Sequence, residues 1–181
     1  MARLFLVVLA TGLFAAITGC GGSSATPPPP PRRVATPAKP PPGQFLRVHA
    51  ARRAVELTLI AGDGHSNNGF NFDGYGRGEL LVSVPRGWRV TVHYKNAGSF
   101  RSSCAVVTGP SAARPAFAGA STPNPVVGYR NGETSTFSFA ATRVGTYRLA
   151  SLVPGQEPAR MWDVLEVTRG GRPSIAARPG P

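Results

Sequence analysis

The stretch Gly78-Glu-Leu-Leu-Val-Ser-Val-Pro85-Arg-Gly-Trp88-Arg-Val-Thr-Val-His-Tyr-Lys95 alternates side-chain character on both sides of a break. Leu80, Val82 and Val84 share one face before the break, and Val90, Val92 and Tyr94 share one face after it. A period of two sends successive side chains to opposite faces of a strand, so each run reads as a half-buried strand. Pro85–Arg86–Gly87 between them reads as a turn.

The same period recurs outward from this pair. Val55, Leu57 and Leu59 alternate with Glu56 and Thr58, Phe137 and Phe139 flank Ser138, and Tyr147 and Leu149 flank Arg148. Ala105–Val106–Val107, next to Cys104, reads as a packed strand. Gly74, Gly76, Gly78, Asn131–Gly132 and Pro154–Gly155 punctuate the runs as turns. No segment sustains a capped helical period. Residues 112–120 have room for one helical turn, which Pro115 and Gly119 weaken. Many short strands with regular turns predict an all-β sandwich or barrel.

The N-terminus has a different chemistry. One positive charge at Arg3 precedes an apolar run from Leu4 to Ile17, which ends in Ile17–Thr18–Gly19–Cys20. This pattern predicts a secretory signal peptide over residues 1–19. Its terminal cysteine resembles a bacterial lipobox, with Cys20 as the lipidated residue. The run is shorter than the ~20 apolar residues a membrane span needs. The expected location is therefore the extracytoplasmic face of the cell membrane, with the chain exported and held by lipid on Cys20. Cys104 then has no partner for an intramolecular disulfide and reads as a small buried hydrophobe.

Residues 20–43 contain Pro27 to Pro31 and Pro40 to Pro42 and read as an extended linker. Residues 170–181, rich in Gly, Pro and Arg, read as a disordered basic tail. One folded domain is expected between them, over residues 44–169. The net charge is +12. For an exported chain with scattered basic residues and no aromatic platform, that balance excludes nucleic acid. The partners expected are the membrane, through the lipid on Cys20, and an envelope protein or an anionic envelope polymer.

No catalytic signature is present: no nucleophile elbow, phosphate loop, zinc spacing or carboxylate pair. Asp63 and Asp73 lack calcium-loop spacing and read as solvated turn residues. His49, His65 and His93 have no second ligand at suitable spacing and read as surface residues. The chain is not expected to be an enzyme.

Several segments resemble the sulfocyanin family of blue-copper proteins. Phe70–Asn71–Phe72–Asp73–Gly74 resembles its Phe-Asn-Phe-Asn-Gly. Gly78 to Val90 resembles its Gly-x-Leu…Val-Pro-x-Gly-Trp-x-Val. Gly145–Thr146–Tyr147, Ser151 to Gln156 and Met161–Trp162 resemble Gly-x-Tyr…Cys-x-Val-Pro-Gly-His…Gly-Met-Trp. The resemblance implies a cupredoxin-like Greek-key β-sandwich. It also implies four copper-ligand positions, and here they carry Ser102 for the first His (Ser103 with one residue of slip), Ser151 for the Cys, Gln156 for the second His and Met161 for the axial Met. Arg160 stands where the family has Gly before that Met. Blue copper needs two imidazoles and a thiolate, so this degenerate member is expected to have no cofactor and to act as a binding or scaffold module. The alternative is a copper-binding or electron-transfer protein with an altered site built on Cys104 and Met161.

Overall fold

The computed structural model describes residues 38–180. The apolar run, Cys20 and most of the proline-rich segment lie outside the described residues. Nine strands run in chain order: β1 Leu46–His49, β2 Ala54–Ala61, β3 Leu80–Pro85, β4 Arg89–Asn96, β5 Ala105–Val107, β6 Thr134–Ala140, β7 Gly145–Ala150, β8 Trp162–Thr168 and β9 Ser174–Ala177. They form a four-stranded sheet, β1-β2-β4-β6, and a five-stranded sheet, β5-β7-β8-β3-β9. Two parallel pairs, β2 with β4 and β3 with β8, sit inside otherwise antiparallel sheets.

The alternation predicted from the sequence sets which faces meet. In β2, Val55, Leu57, Leu59 and Ala61 are buried, while Ala54, Glu56, Thr58 and Ile60 are only partly covered. Val90, Val92 and Tyr94 of β4 point into the same core, with Arg89, His93 and Lys95 turned out. Opposite them the second sheet contributes Val82, Val84, Leu149, Leu165 and Val167. Each fully buried Val or Leu contributes ~1.5–3 kcal/mol of transfer free energy, which is why the pattern fixes the register. The turn through Pro85–Arg86–Gly87 carries the chain from one sheet to the other. Gly87 there has φ +83°, a left-handed conformation that glycine adopts without strain.

The structure corrects three expectations. The tail is not disordered throughout: Ser174–Ala177 forms β9 and pairs antiparallel with β3, Ile175 opposite Val82. Unpaired amides along β3 drive this, since an exposed strand edge accepts any extended segment with backbone groups to offer. The folded unit also begins before residue 44. Pro40 accepts a hydrogen bond from the Tyr75 hydroxyl at 2.7 Å, and Lys39 pairs with Glu79. Finally, residues 112–120 contain no helical turn.

Candidate functional site

The resemblance singled out positions that are far apart in the chain, and the sandwich brings them to one end of the molecule. β4 ends at Asn96, whose side chain organises the next loop. Its Nδ2 donates to the Phe100 carbonyl at 2.8 Å and the Tyr129 carbonyl at 2.7 Å, and its Oδ1 accepts from the Gly98 amide at 3.0 Å. Ser102 follows and pairs through its backbone with Tyr129 in both directions. The β7–β8 loop brings Ser151, Gln156 and Met161 to the same region. The Met161 amide donates to the Gln156 carbonyl at 2.9 Å, and the Ser151 amide to the Met161 carbonyl at 3.3 Å.

Ser102, Gln156, Met161 and Asn96 line one small cavity of about 10 Å³, together with Phe70 and Phe100. These two rings stack at 5.2 Å. The cavity lies where β2 leaves its sheet at Gly62, in close contact with Gly98: a Cβ on Gly62 would sit 2.4 Å from the Gly98 Cα. Phe100 is 56% exposed and forms part of the wall of an open cleft with His65, Asn68 and Ser99.

The polar side chains at this end bond to the protein itself. The Ser102 Oγ lies 2.5 Å from the Tyr94 hydroxyl. Ser151 Oγ accepts from the Ser103 amide at 3.1 Å and meets the Ser103 Oγ at 3.2 Å. Ser103 Oγ in turn accepts from the Leu152 amide. Gln156 donates its Nε2 to the Arg101 carbonyl, while its Oε1 is buried without a hydrogen-bond partner. So Ser102 faces the cavity and Ser103 reaches Ser151. Burial pushes the Tyr94 hydroxyl upward against the opposing effect of its bond to Ser102, so it stays protonated.

Cys104 lies deeper, in the inter-sheet core that also contains Met161. Its carbonyl accepts from the Thr122 amide at 2.8 Å. Burial pushes the thiol well above its ordinary value, and Asp73 and Asp163 add to the effect. A thiol in that setting is a poor source of thiolate. The three histidines are exposed: His93 points out of β4, His49 pairs with Glu56, and His65 stands in the loop after β2. Among the described residues, no three His, Cys, Asp or Glu side chains group at metal-binding distance.

One carboxyl group is a further correction. Asp73, expected in a solvated turn, is fully buried, as is Asp163. Asp73 Oδ1 accepts from the Ile60 amide at 2.8 Å and Asp163 Oδ1 from the Leu80 amide at 2.9 Å; the second oxygen of each has no partner. Burial raises Asp73 to about 8 and Asp163 in the same direction. Sequence reasoning also missed Tyr94 and Asn96 as site residues. Tyr94 ends an apolar run and gave only a core signal, and Asn96 closes its strand with a side chain that bonds only backbone atoms, of Gly98 and Phe100 in the next loop and of the distant Tyr129.

The Sulfocyanin (SoxE) domain family matches residues 41–117. Over those residues the chain is similar to sulfocyanins, and its fold is a cupredoxin-like β-sandwich. The family match ends before Ser151, Gln156 and Met161. Similar solved structures include a dithionite-reduced auracyanin from Roseiflexus castenholzii, at 20% identity and TM-score 0.45, covering 62% of this chain and 96% of that one. Auracyanin A of Chloroflexus aurantiacus, a "blue" copper protein, matches at 22% identity and TM-score 0.44, covering 64% and 99%. A blue copper oxidase from Nitrosomonas europaea matches at 23% identity and TM-score 0.48. There the alignment covers 62% of this chain but only 38% of the oxidase. No curated protein matches the chain.

Blue-copper chemistry asks for thiolate and imidazole donors. The sulfocyanin-like domain offers two hydroxyls, an amide and a thioether at the positions in question. This donor set does not fit Cu(II).

Proposed function

We propose that the chain is an exported, membrane-tethered cupredoxin-like module that has lost the blue-copper site and works as a non-enzymatic binding or scaffold protein. One observation carries the reading. Ser102, Ser151 and Gln156 direct their side chains into protein hydrogen bonds, to Tyr94, Ser103 and the Arg101 carbonyl, so the site end is held together by the groups that would otherwise face a metal. A buried polar group that is bonded costs little, whereas freeing it for a weak metal contact costs ~1–3 kcal/mol. The tether is the lipid on Cys20, supported by the apolar run and the residues before that cysteine.

Stoichiometric Cu(II), then Cu(I), added to the full chain without a metal-binding tag tests the loss of the site. The expected result is no intense blue band and weak Cu(II) binding. The variant Ser102→His/Ser151→Cys/Gln156→His is the positive control and gains the band. A strong blue band in the unaltered chain overturns the reading. Mass spectrometry of the mature N-terminus tests the tether, which an unmodified chain starting elsewhere overturns.

A further inference from the structure

The end of the sandwich opposite the cavity carries an unbalanced charge. Strand register places four turns there, at residues 50–53, 86–88, 141–144 and 169–173. His49 pairs with Ala54, Ala54 with Arg89, Arg89 with Ala140, and Pro85 with Thr168. Backbone bonds join them into one surface: Arg89 to Arg53, Arg86 to Thr168, Gly87 to Ala141 and Ala141 to Trp88. Every one of these turns has at least one arginine. Arg52, Arg53, Arg86, Arg143, Arg169 and Arg172 are all exposed. The chain has eight Asp and Glu residues and none lies in these turns. Only Glu56 and Glu166 lie in the strand halves that lead to them.

Two of the arginines are engaged, Arg53 with the Arg86 carbonyl and Arg143 with the Ala116 carbonyl. Arg52, Arg86, Arg169 and Arg172 make no side-chain hydrogen bond or ion pair among the described residues, whose ion pairs are Lys39–Glu79, His49–Glu56 and Arg148–Glu157. Packing so many like charges without counter-charge disfavours the folded state unless an anion is nearby. Half-buried Trp88 and 43% exposed Val144 sit among them.

We propose that this arginine pole docks on a bilayer surface rich in anionic phospholipid headgroups. Guanidinium groups pair with phosphate oxygens through two parallel N–H bonds. Four turn tips at one end of the sandwich can meet a plane of headgroups together, and the partly exposed Trp88 and the exposed Val144 at that end suit the headgroup level, where a hydrated polyanion would offer them nothing. The first described residues join the domain at the other end, where Pro40 meets Tyr75. The inference goes beyond the loss of copper and does not depend on it.

The full-length chain is reconstituted through its own N-terminus into phosphatidylcholine vesicles, with incorporation measured by flotation. Dye-labelled vesicles of phosphatidylcholine, or of phosphatidylcholine and phosphatidylglycerol at about 7:3, are then added, and their capture is measured. Anionic vesicles should be captured and neutral ones not, with capture falling about tenfold between low and physiological salt. The variant R52Q/R86Q/R169Q/R172Q should lose more than tenfold of the capture. The variant R77Q/K95Q/R130Q/R160Q removes the same charge from the cavity end and should stay within about twofold of the unaltered chain. Equal losses in both variants mean that bulk charge alone acts, and overturn the proposal. Equal capture of neutral vesicles overturns it, as does pole-dependent binding to an anionic polysaccharide without capture of anionic vesicles.

Discussion

The Tyr94 hydroxyl and the Ser102 Oγ form a buried hydrogen bond of 2.5 Å, and that bond joins the end of β4 to the cavity wall. Neither group reaches solvent, since Tyr94 and Ser102 are each 2% exposed. Removing one partner leaves the other buried and less well satisfied, at a cost of ~1–3 kcal/mol. Tyr94→Phe and Ser102→Ala are each expected to lower stability by ~1–2 kcal/mol in denaturant unfolding, and the double variant by clearly less than the sum. Additive losses would show that the bond contributes nothing of its own.

Asp73 makes stability depend on pH. Its pKa rises from the ordinary 3.8 to about 8, first through burial, with the Ile60 amide opposing and Asp63 adding to the rise. The folded chain therefore keeps a proton that the unfolded chain releases above about pH 4. This contribution is complete below that pH and is lost as the pH climbs through about 8; Asp163 acts in the same direction. Melting temperature should fall between pH 5 and pH 8. Asp73→Asn keeps an acceptor for Ile60 and needs no proton, so it should flatten that fall and raise the melting temperature at pH 8. Parallel curves for variant and parent would remove Asp73 as the cause.

Gly62 is the tightest backbone point beside the cavity. It combines φ +69° with a Cβ position 2.4 Å from the Gly98 Cα. Gly62→Ala meets backbone, not a flexible side chain, and must move the Asn96–Phe100 loop. A loss of ~2–3 kcal/mol is expected in thermal or denaturant unfolding. Gly64→Ala, with φ +66° but nothing within 4 Å, isolates the strain of the left-handed backbone at ~1 kcal/mol. Equal effects would mean that the close approach of Gly62 and Gly98 is immaterial.

What the sequence made legible was whatever depended on period and punctuation. Five strands, β2, β3, β4, β6 and β7, were readable from alternating side chains, because burying one face is what selects them. β8 was hidden: Asp163 interrupts an apolar face that continues through Leu165 and Val167. β1 was hidden because its residues are mostly exposed at a sheet edge. The gathering of Ser102, Gln156 and Met161 around one cavity was expected only through family resemblance. The Tyr94–Ser102 bond and the unpaired Gln156 oxygen had no local signal, because a hydrogen bond between distant positions leaves no period.

Cys104 should behave as core. It is fully buried and its thiol is raised by burial, so its reactivity is limited by opening of the fold. A thiol reagent added to the native chain should modify Cys104 more than a hundredfold more slowly than in denaturant, at the rate of unfolding. Cys104→Ala should cost ~1–2 kcal/mol by the cavity it leaves. Rapid modification of the native protein would place the sulfur within reach of solvent and reopen the copper alternative through Met161.

β9 carries the last expectation. Composition alone assigns residues 170–181 to disorder, yet four of them close an edge. Leu80, Leu81, Val82 and Ser83 pair with Ala177, Ala176, Ile175 and Ser174. Ile175 packs against the small cluster of Phe45, Tyr75 and Leu80, and Arg178 donates its Nε to the Gly78 carbonyl at 2.7 Å. The segment is weak by itself, and it is ordered because β3 lends it a template. Deleting residues 171–181 strips one side of β3 of its partners and uncovers part of the Phe45 cluster. A loss of ~2–4 kcal/mol is expected from the area uncovered and the bonds removed. Aggregation that rises with concentration should follow, because a bare edge with alternating Leu and Val invites another strand. Ile175→Lys in the full-length chain separates the two effects: it removes the packing but keeps backbone pairing, so stability should drop with little aggregation. A truncated chain that melts like the parent and stays monomeric would show that β9 is an ornament of the edge and not a part of the fold.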